Sequence, residues 1–310
     1  MRFSNIYLIP LMLGSIVISC SGNEQEITGE QKEFSTESAP VQDSLLPPVP
    51  LISDSLHQEL QKYFDDEILT RIESLVEEFD TIKTDTSFKA VYDKGISLFN
   101  NMYDAVTEPQ TTYLKEALAD DGIGFYAVMD DMNELNGLLA PLYFSCVAEC
   151  SDYDFSFDLD ALKNKSLETI GKQDDDFVEL LLMIEDRPFG YAGYGDFKAW
   201  HVQYTDISGS IRLGDGIVLN IITKMQAIKP RVQLFKKEFE RMHEEILDVL
   251  TSKHLYEFSP EEVQAEYTKI LRLNYYTGEE KTSIEKCRDE LKANQDNYQF
   301  NCKDGGCSFE

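Results

Sequence analysis

From Ser53 onward, apolar residues recur at spacings of three and four. Leu56, Leu60, Tyr63, Phe64, Ile68, Ile72, Leu75, Val76 and Phe79 form one stripe, which predicts an amphipathic helix with Ser53 or Asp54 as its cap. Further helices are predicted over about Phe88 to Val106, about Pro109 to Ala119, and about Ile123 to Cys150, with a break at Pro141. Asp174, Asp175 and Asp176 precede the apolar run Phe177, Val178, Leu180, Leu181 and Ile184, the pattern of a buried helix with carboxylates at its amino end. Beyond Asp215 the signal returns. Pro230 suits a helix start, and Val232, Phe235, Phe239, Met242, Ile246 and Val249 follow at gaps of three and four. The sharpest boundary is Ser259-Pro260-Glu261-Glu262, where a capping serine, a first-turn proline and a glutamate three residues after the cap coincide. Val263, Tyr267, Ile270 and Leu271 give that helix its buried face, and Ile284, Cys287 and Leu291 mark a last one.

Between these stretches the pattern is irregular. Gly190, Gly193 and Gly195 sit among Phe189, Tyr191 and Tyr194, and Gly209, Gly214 and Gly216 follow; their spacing makes no dinucleotide fingerprint, so they read as turns. No repeat of about 33 to 47 residues recurs, which argues against a solenoid. The predicted fold class is mainly all-α, an irregular helical bundle or array with a Gly-rich middle region and at most one short extended segment.

The first residues carry a different pattern. After Arg2, an apolar run from Ile6 to Ile18 is interrupted only by Pro10, Gly14 and Ser15. It is shorter than the roughly 20 residues needed to cross a bilayer and follows a basic start, as a signal peptide does. Its end, Val17-Ile18-Ser19-Cys20, resembles the lipobox of bacterial lipoproteins. The resemblance implies that the Cys20 thiol receives diacylglycerol, that cleavage follows Ser19, and that the new amino terminus is acylated. Several acyl chains anchor stably, since each buried methylene adds roughly 0.8 kcal/mol. Ser21 in place of aspartate after the cysteine resembles sorting to the outer membrane, on its periplasmic or surface face, rather than to the inner membrane. From Ser21 to about Ser53 the chain is rich in Glu, Gln, Ser, Thr and Pro, and it reads as a tether with a reach on the order of 30 Å. The expected organisation is a signal peptide over 1–19, a lipidated amino terminus and disordered tether over 20–53, a helical domain over 54–300 and a Cys-containing tail over 301–310.

Charge narrows the partners. Lys and Arg total 28 against 57 Asp and Glu, a net charge of −29. Such a chain repels phosphate backbones, which excludes nucleic acid, and its average charge also opposes adsorption to anionic lipid. Attachment to membrane lipid must therefore come through acylated Cys20.

Few residues point to chemistry. Asp152, Asp154, Asp158 and Asp160 alternate with Tyr153, Phe155, Phe157 and Leu159, so an extended backbone would line four carboxylates on one side as candidate Ca²⁺ ligands. The competing reading is a solvated strand face, and the EF-hand pattern is absent: Phe157 stands where glycine is needed, and Lys163 where the last glutamate belongs. Glu240 and His243 make one Glu-x-x-His pair on a helix face; a di-iron bundle needs two such pairs, so an ion pair within the helix is expected. With Cys20 committed to lipid, Cys146, Cys150, Cys287, Cys302 and Cys307 remain. Cys302 and Cys307 flank a turn-forming stretch and are the expected disulfide; Cys146 and Cys150, one helical turn apart, are too distant for a normal bridge. No nucleophile elbow or zinc-protease motif occurs. The leading expectation is a non-catalytic, membrane-anchored envelope lipoprotein that needs no cofactor and binds an envelope protein or a small ligand. The alternatives are a divalent-cation-binding or metal-uptake lipoprotein, motivated by acidity, and an envelope enzyme built where Tyr191, Tyr194, Trp200 and His201 cluster.

Overall fold

The structure, a computed structural model, describes residues 52–118, 133–149, 152–185, 198–205, 208–252 and 254–302. Among them the chain is mainly helical, with ten α-helices and two small antiparallel sheets of two strands each. The first predicted helix is two: α1 (Asp54–Leu60), capped by Ser53, and α2 (Asp66–Asp80), capped by Asp65, whose carboxylate accepts from the Ile68 N–H at 2.9 Å. The break does not disturb the buried stripe, since Leu60, Phe64, Ile68, Ile72 and Phe79 are all buried. Spacing alone therefore could not reveal it.

Helix α3 (Asp85–Leu118) merges two predicted helices into one of 34 residues that runs through Pro109. The ring removes one backbone donor there, and the helix continues past it. A helical stretch over 133–139, α4, leads into a short 3₁₀ turn, Ala140–Leu142, that holds Pro141. Tyr143 then takes a left-handed conformation with φ of 69°, which ends the helical path. The helix predicted to continue to Cys150 is replaced by strand β1 (Phe144–Glu149), paired with β2 (Asp152–Phe157) in the register Phe144 to Phe157 and Cys146 to Phe155. The alternation of buried Phe144 and Cys146 with half-buried Ser145 is the strand period that the helix reading overlooked.

Helices α5 (Leu159–Leu167) and α6 (Gln173–Glu185) come next, then strands β3 (His201–Thr205) and β4 (Ser208–Ile211). Four short strands thus replace the single extended segment that was expected, and Gly209 lies in one of them. Tyr256 bridges to Ile211 beside β4, and the chain near its end is stitched to the same segment: Tyr256 N–H donates to Gln299 O at 3.0 Å and Cys302 N–H to Tyr256 O at 3.2 Å. Helices α7 (Ile217–Ile228), α8 (Lys236–Thr251), α9 (Pro260–Arg272) and α10 (Gly278–Ala293) complete the body. The capping box at Ser259 and Glu262 is formed as the sequence predicts, and α8 starts after Phe235 rather than at Pro230.

One core runs through the body. Phe157 joins several aromatics: its ring lies 5.7 Å from Phe79, 6.0 Å from Tyr92, 5.0 Å from Phe99 and 5.8 Å from Phe144. A second group gathers on Phe235, which stacks on Phe177 at 4.2 Å and meets Phe88 at 6.2 Å. Each such pair adds about 0.5 to 1.5 kcal/mol beyond the area it buries.

Phe157 fits because position 95 on α3 is glycine: a Cβ there would lie 2.2 Å from the ring. Ordinarily, replacing a helical glycine by alanine stabilises by about 1 kcal/mol. Here Gly95→Ala is expected to destabilise by about 1 to 3 kcal/mol, because the packed ring must move. The urea midpoint checks this, and an unchanged or raised midpoint would show that the ring yields freely.

Candidate functional site

The acidic ladder sits where strand gives way to helix. Phe155 and Phe157 are buried while Asp154 and Ser156 are half-buried, so the expected alternation holds along the described part of β2. The strand stops at Phe157. Asp158 instead caps α5, its Oδ1 accepting from the Ala161 N–H at 2.7 Å, and Asp160 lies exposed in the first turn of that helix. The carboxylates are thereby split between two elements; the side chain of Asp152 lies outside the described residues. Among the described residues, no group of three or more His, Cys, Asp or Glu stands close enough to hold a metal ion.

The cysteines are divided as well. Cys146 is a free, buried thiol whose pKa is pushed up to about 12 by burial and by the charge of Asp154, so it is no nucleophile. Cys287 keeps its thiol, and its Sγ donates to Thr251 O at 3.2 Å. Cys302 is buried and disulfide-bonded, with a partner that lies outside the described residues, as do Cys307, Cys150 and Cys20.

His243 departs from expectation. Its partner is not Glu240, which reaches Lys236 at 3.5 Å, but two groups beyond α9: Nδ1 lies 2.9 Å from the Tyr275 hydroxyl and Nε2 lies 2.8 Å from Glu280 Oε1. The same Glu280 closes the capping box of α10 with Thr277. Burial pushes the Glu280 carboxyl up, yet hydrogen bonds from Thr277 and His243 outweigh it and hold the group below the usual range. Tyr275 is pushed far above the usual phenol range by burial, so its hydroxyl stays protonated. The trio clasps α8 to the start of α10.

Among the buried carboxylates, two take roles that the sequence reading did not anticipate. Helix α7 begins at Gly216, which has no side chain to cap it, and Glu266 of α9 does so instead. It accepts from the N–H groups of Gly214, Gly216 and Leu219 at 2.5, 3.0 and 2.9 Å. Burial still raises its pKa. The available signal was position: 263, 266, 267, 270 and 271 share one helix stripe, and a glutamate in a core stripe calls for a partner.

The other is Asp174. It is buried in the first turn of α6, where Oδ2 accepts from the Thr169 hydroxyl at 2.7 Å and Oδ1 from the Asp175 N–H at 2.9 Å. Its neighbour is Asp85 from the start of α3, whose Oδ2 accepts from the Lys172 and Gln173 N–H groups at 3.3 and 3.2 Å and so caps α6 from outside. Asp85 Oδ1 is buried without a partner unless Asp174 carries the proton that lies between them. Burial and then this contact raise Asp174 to about 7. The acidic turn thus caps its helix less than the sequence suggests, since Asp176 pairs instead with Arg231 at 2.7 Å.

Trp200 is buried in the core and His201 is exposed; Tyr191 and Tyr194 lie outside the described residues. Elsewhere among the described residues, a groove of about 270 Å³ lies between α2 and α3, with Leu75 and Leu98 in its lining. Lys94 Nζ binds Glu78 there, at 2.7 Å from Oε1. Among the described residues Arg71 has no ion pair; the Asn101 amide oxygen, turned toward it, accepts from the guanidinium at 3.1 Å. Such a guanidinium suits a carboxylate or another small oxyanion. No family profile matches this chain, and neither curated proteins nor solved structures yield a match.

Glu266→Ala would strand three buried N–H groups at the start of α7. A loss of about 3 kcal/mol or more is expected by urea denaturation, with Glu266→Gln recovering part of it. For Asp174 the sign follows from the raised value. The folded state binds the proton more tightly than the unfolded chain, so the contribution is whole below the unfolded carboxyl value of about 4 and is lost as pH rises through about 7. Wild type should therefore lose melting temperature between pH 5 and 8 more steeply than Asp174→Asn, and parallel pH curves would remove the proton from this pair.

Proposed function

We propose that this chain is a lipid-anchored protein of the bacterial cell envelope, whose helical body binds a partner or small ligand and does not turn over a substrate. The observation that carries the reading is the ordered succession of a basic start, a short apolar run, Val17-Ile18-Ser19-Cys20 and a polar stretch to Ser53. Several acyl chains on Cys20 supply membrane affinity that a body of net charge −29 does not supply on average. No helix among the described residues is long and apolar enough to cross a membrane, which leaves the lipid as the attachment this reading uses. Ser21 favours the outer membrane.

The binding half of the proposal is supported by how the ionisable groups are used. Glu266, Asp85, Asp158 and Glu280 each accept backbone N–H groups at helix starts, and Asp174 accepts from the Thr169 hydroxyl and the Asp175 N–H, so these carboxyls hold the fold together. The Arg71 groove supplies a surface with a cation to spare. A divalent-cation role has no geometric support of this kind, because Asp158 is occupied as a cap.

Intact mass spectrometry of the product extracted from membranes tests the anchor. The expected species has lost residues 1–19 and carries acyl mass at Cys20, and Cys20→Ser should appear unprocessed. A soluble product with an unmodified Cys20 would overturn the reading of location; turnover in a hydrolase panel, abolished by one point substitution, would overturn the non-catalytic part.

A further inference from the structure

The two most exposed large aliphatic side chains among the described residues are neighbours. Leu167 ends α5 with 67% of its surface exposed, and Ile170 stands in the following loop with 81% exposed. Apolar surface left this open on an ordered element marks an interaction site more often than isolated exposure does. The loop is ordered. Ile170 N–H donates to Lys83 O at 2.8 Å, the Thr169 hydroxyl is held by Asp174, and the Lys172 N–H is held by Asp85. Gly171, at φ of 148°, lies so close to Asp85 that a Cβ would meet its carboxylate at 1.9 Å. The side chains at 167 and 170 are therefore fixed outward by hydrogen bonds beneath them.

Exposed lysines are concentrated on this tip, while acids bound it at Asp158 and Asp174 to Asp176 and Asp85 lies beneath Gly171. Residues 159–172 carry three lysines against two acids, while the chain as a whole has twice as many acids as bases. Lys163 is one helical turn before Leu167, Lys172 follows Ile170, and Lys83 lies under it; all three are exposed. The fourth lysine, Lys165, is taken by Glu168 at 2.9 Å and lies over the Phe79 ring. Exposed Glu168 stands between the two aliphatics and takes Lys165, which leaves Lys83, Lys163 and Lys172 beside them to meet the phosphates of an anionic leaflet while the aliphatics enter its acyl boundary.

We propose that the 167–172 loop, with Lys83 and Lys163 beside it, is the face by which the tethered body rests on an anionic lipid surface. The inference rests on the lipid-anchored reading, since a tether to Cys20 keeps the body near the leaflet and lets a weak surface affinity suffice. The average charge does not forbid it, because repulsion from acidic faces turned away from the bilayer is screened beyond about 8 Å at physiological ionic strength.

The test uses the chain from residue 20 with Cys20→Ser, so that no acyl chain contributes, floated with vesicles of phosphatidylcholine alone or mixed with phosphatidylglycerol. Binding should favour the anionic vesicles and weaken with salt. The Leu167→Ser/Ile170→Ser double variant should lower the partition coefficient by about tenfold, and Lys83→Glu/Lys163→Glu should abolish the preference for anionic lipid. Both variants lie on exposed positions, and unchanged melting curves would confirm their folding. Equal partition of parent and variants, or no binding by the parent, would overturn the proposal without touching the anchor, which the mass measurement decides. Self-association in solution that the double variant abolishes would also overturn it, assigning the patch to a second copy.

Discussion

One face of α3 organises the body. Phe88, Tyr92, Gly95 and Phe99 succeed each other at gaps of four, three and four, so they share a stripe that two aromatic groups occupy in turn. Tyr92 belongs to both, with its ring 6.0 Å from Phe157 and 6.5 Å from Phe235. The β1–β2 hairpin is seated through the first group and α6 through the second. A two-stranded hairpin is marginal by itself in water, so this one depends on burying Phe144, Phe155 and Phe157 against helices, and the missing side chain at Gly95 makes the approach close enough.

An acidic chain has carboxylates to place, and this one places several at helix starts. Helices α1, α2, α5, α9 and α10 are capped by the residue just before them. Helices α6 and α7 are capped across space, by Asp85 from α3 and Glu266 from α9. The distinction has an energetic consequence. A locally capped helix carries its own end, whereas α6 and α7 expose unsatisfied N–H groups unless a distant helix has docked. Glu266 is buried, so desolvation works against its charge even as backbone dipoles favour it. Glu266 meets it with three backbone donors, and buried Asp174 is met by the Thr169 hydroxyl and the Asp175 N–H.

The same contacts that lock Asp85 to the turn before α6 also hold Ile170 away from the core. Stability and surface presentation are joined there: the hydrogen bonds made by Asp85 and Asp174 fix the loop that carries the most exposed aliphatic side chain among the described residues. As proposed, acyl chains on Cys20 would fix where the protein stays and this loop would set which way the body faces. The Arg71 groove between α2 and α3 is then left as surface for a soluble ligand.

Local signals in the sequence determined much of the secondary structure. The three-and-four spacing of apolar residues located α2, α8 and α9, and Ser53, Ser259 and Glu262 fixed helix boundaries, because capping involves residues at most three apart. The apolar run ending at Cys20 is equally local, and as the proposed export signal it would be read before folding. What the sequence left open required partners far along the chain. Phe144 to Glu149 could be read as helix or strand, and pairing with β2 decided it. The stripe from Leu56 to Phe79 concealed a restart at Asp65, because the break kept the apolar positions in phase. His243 took Tyr275 and Glu280 over the glutamate beside it, and Asp174 took Asp85 from 89 residues away. Only tertiary structure could settle these, because the energy of a buried polar group depends on which donors and acceptors the fold brings to it, and one-dimensional spacing does not encode that.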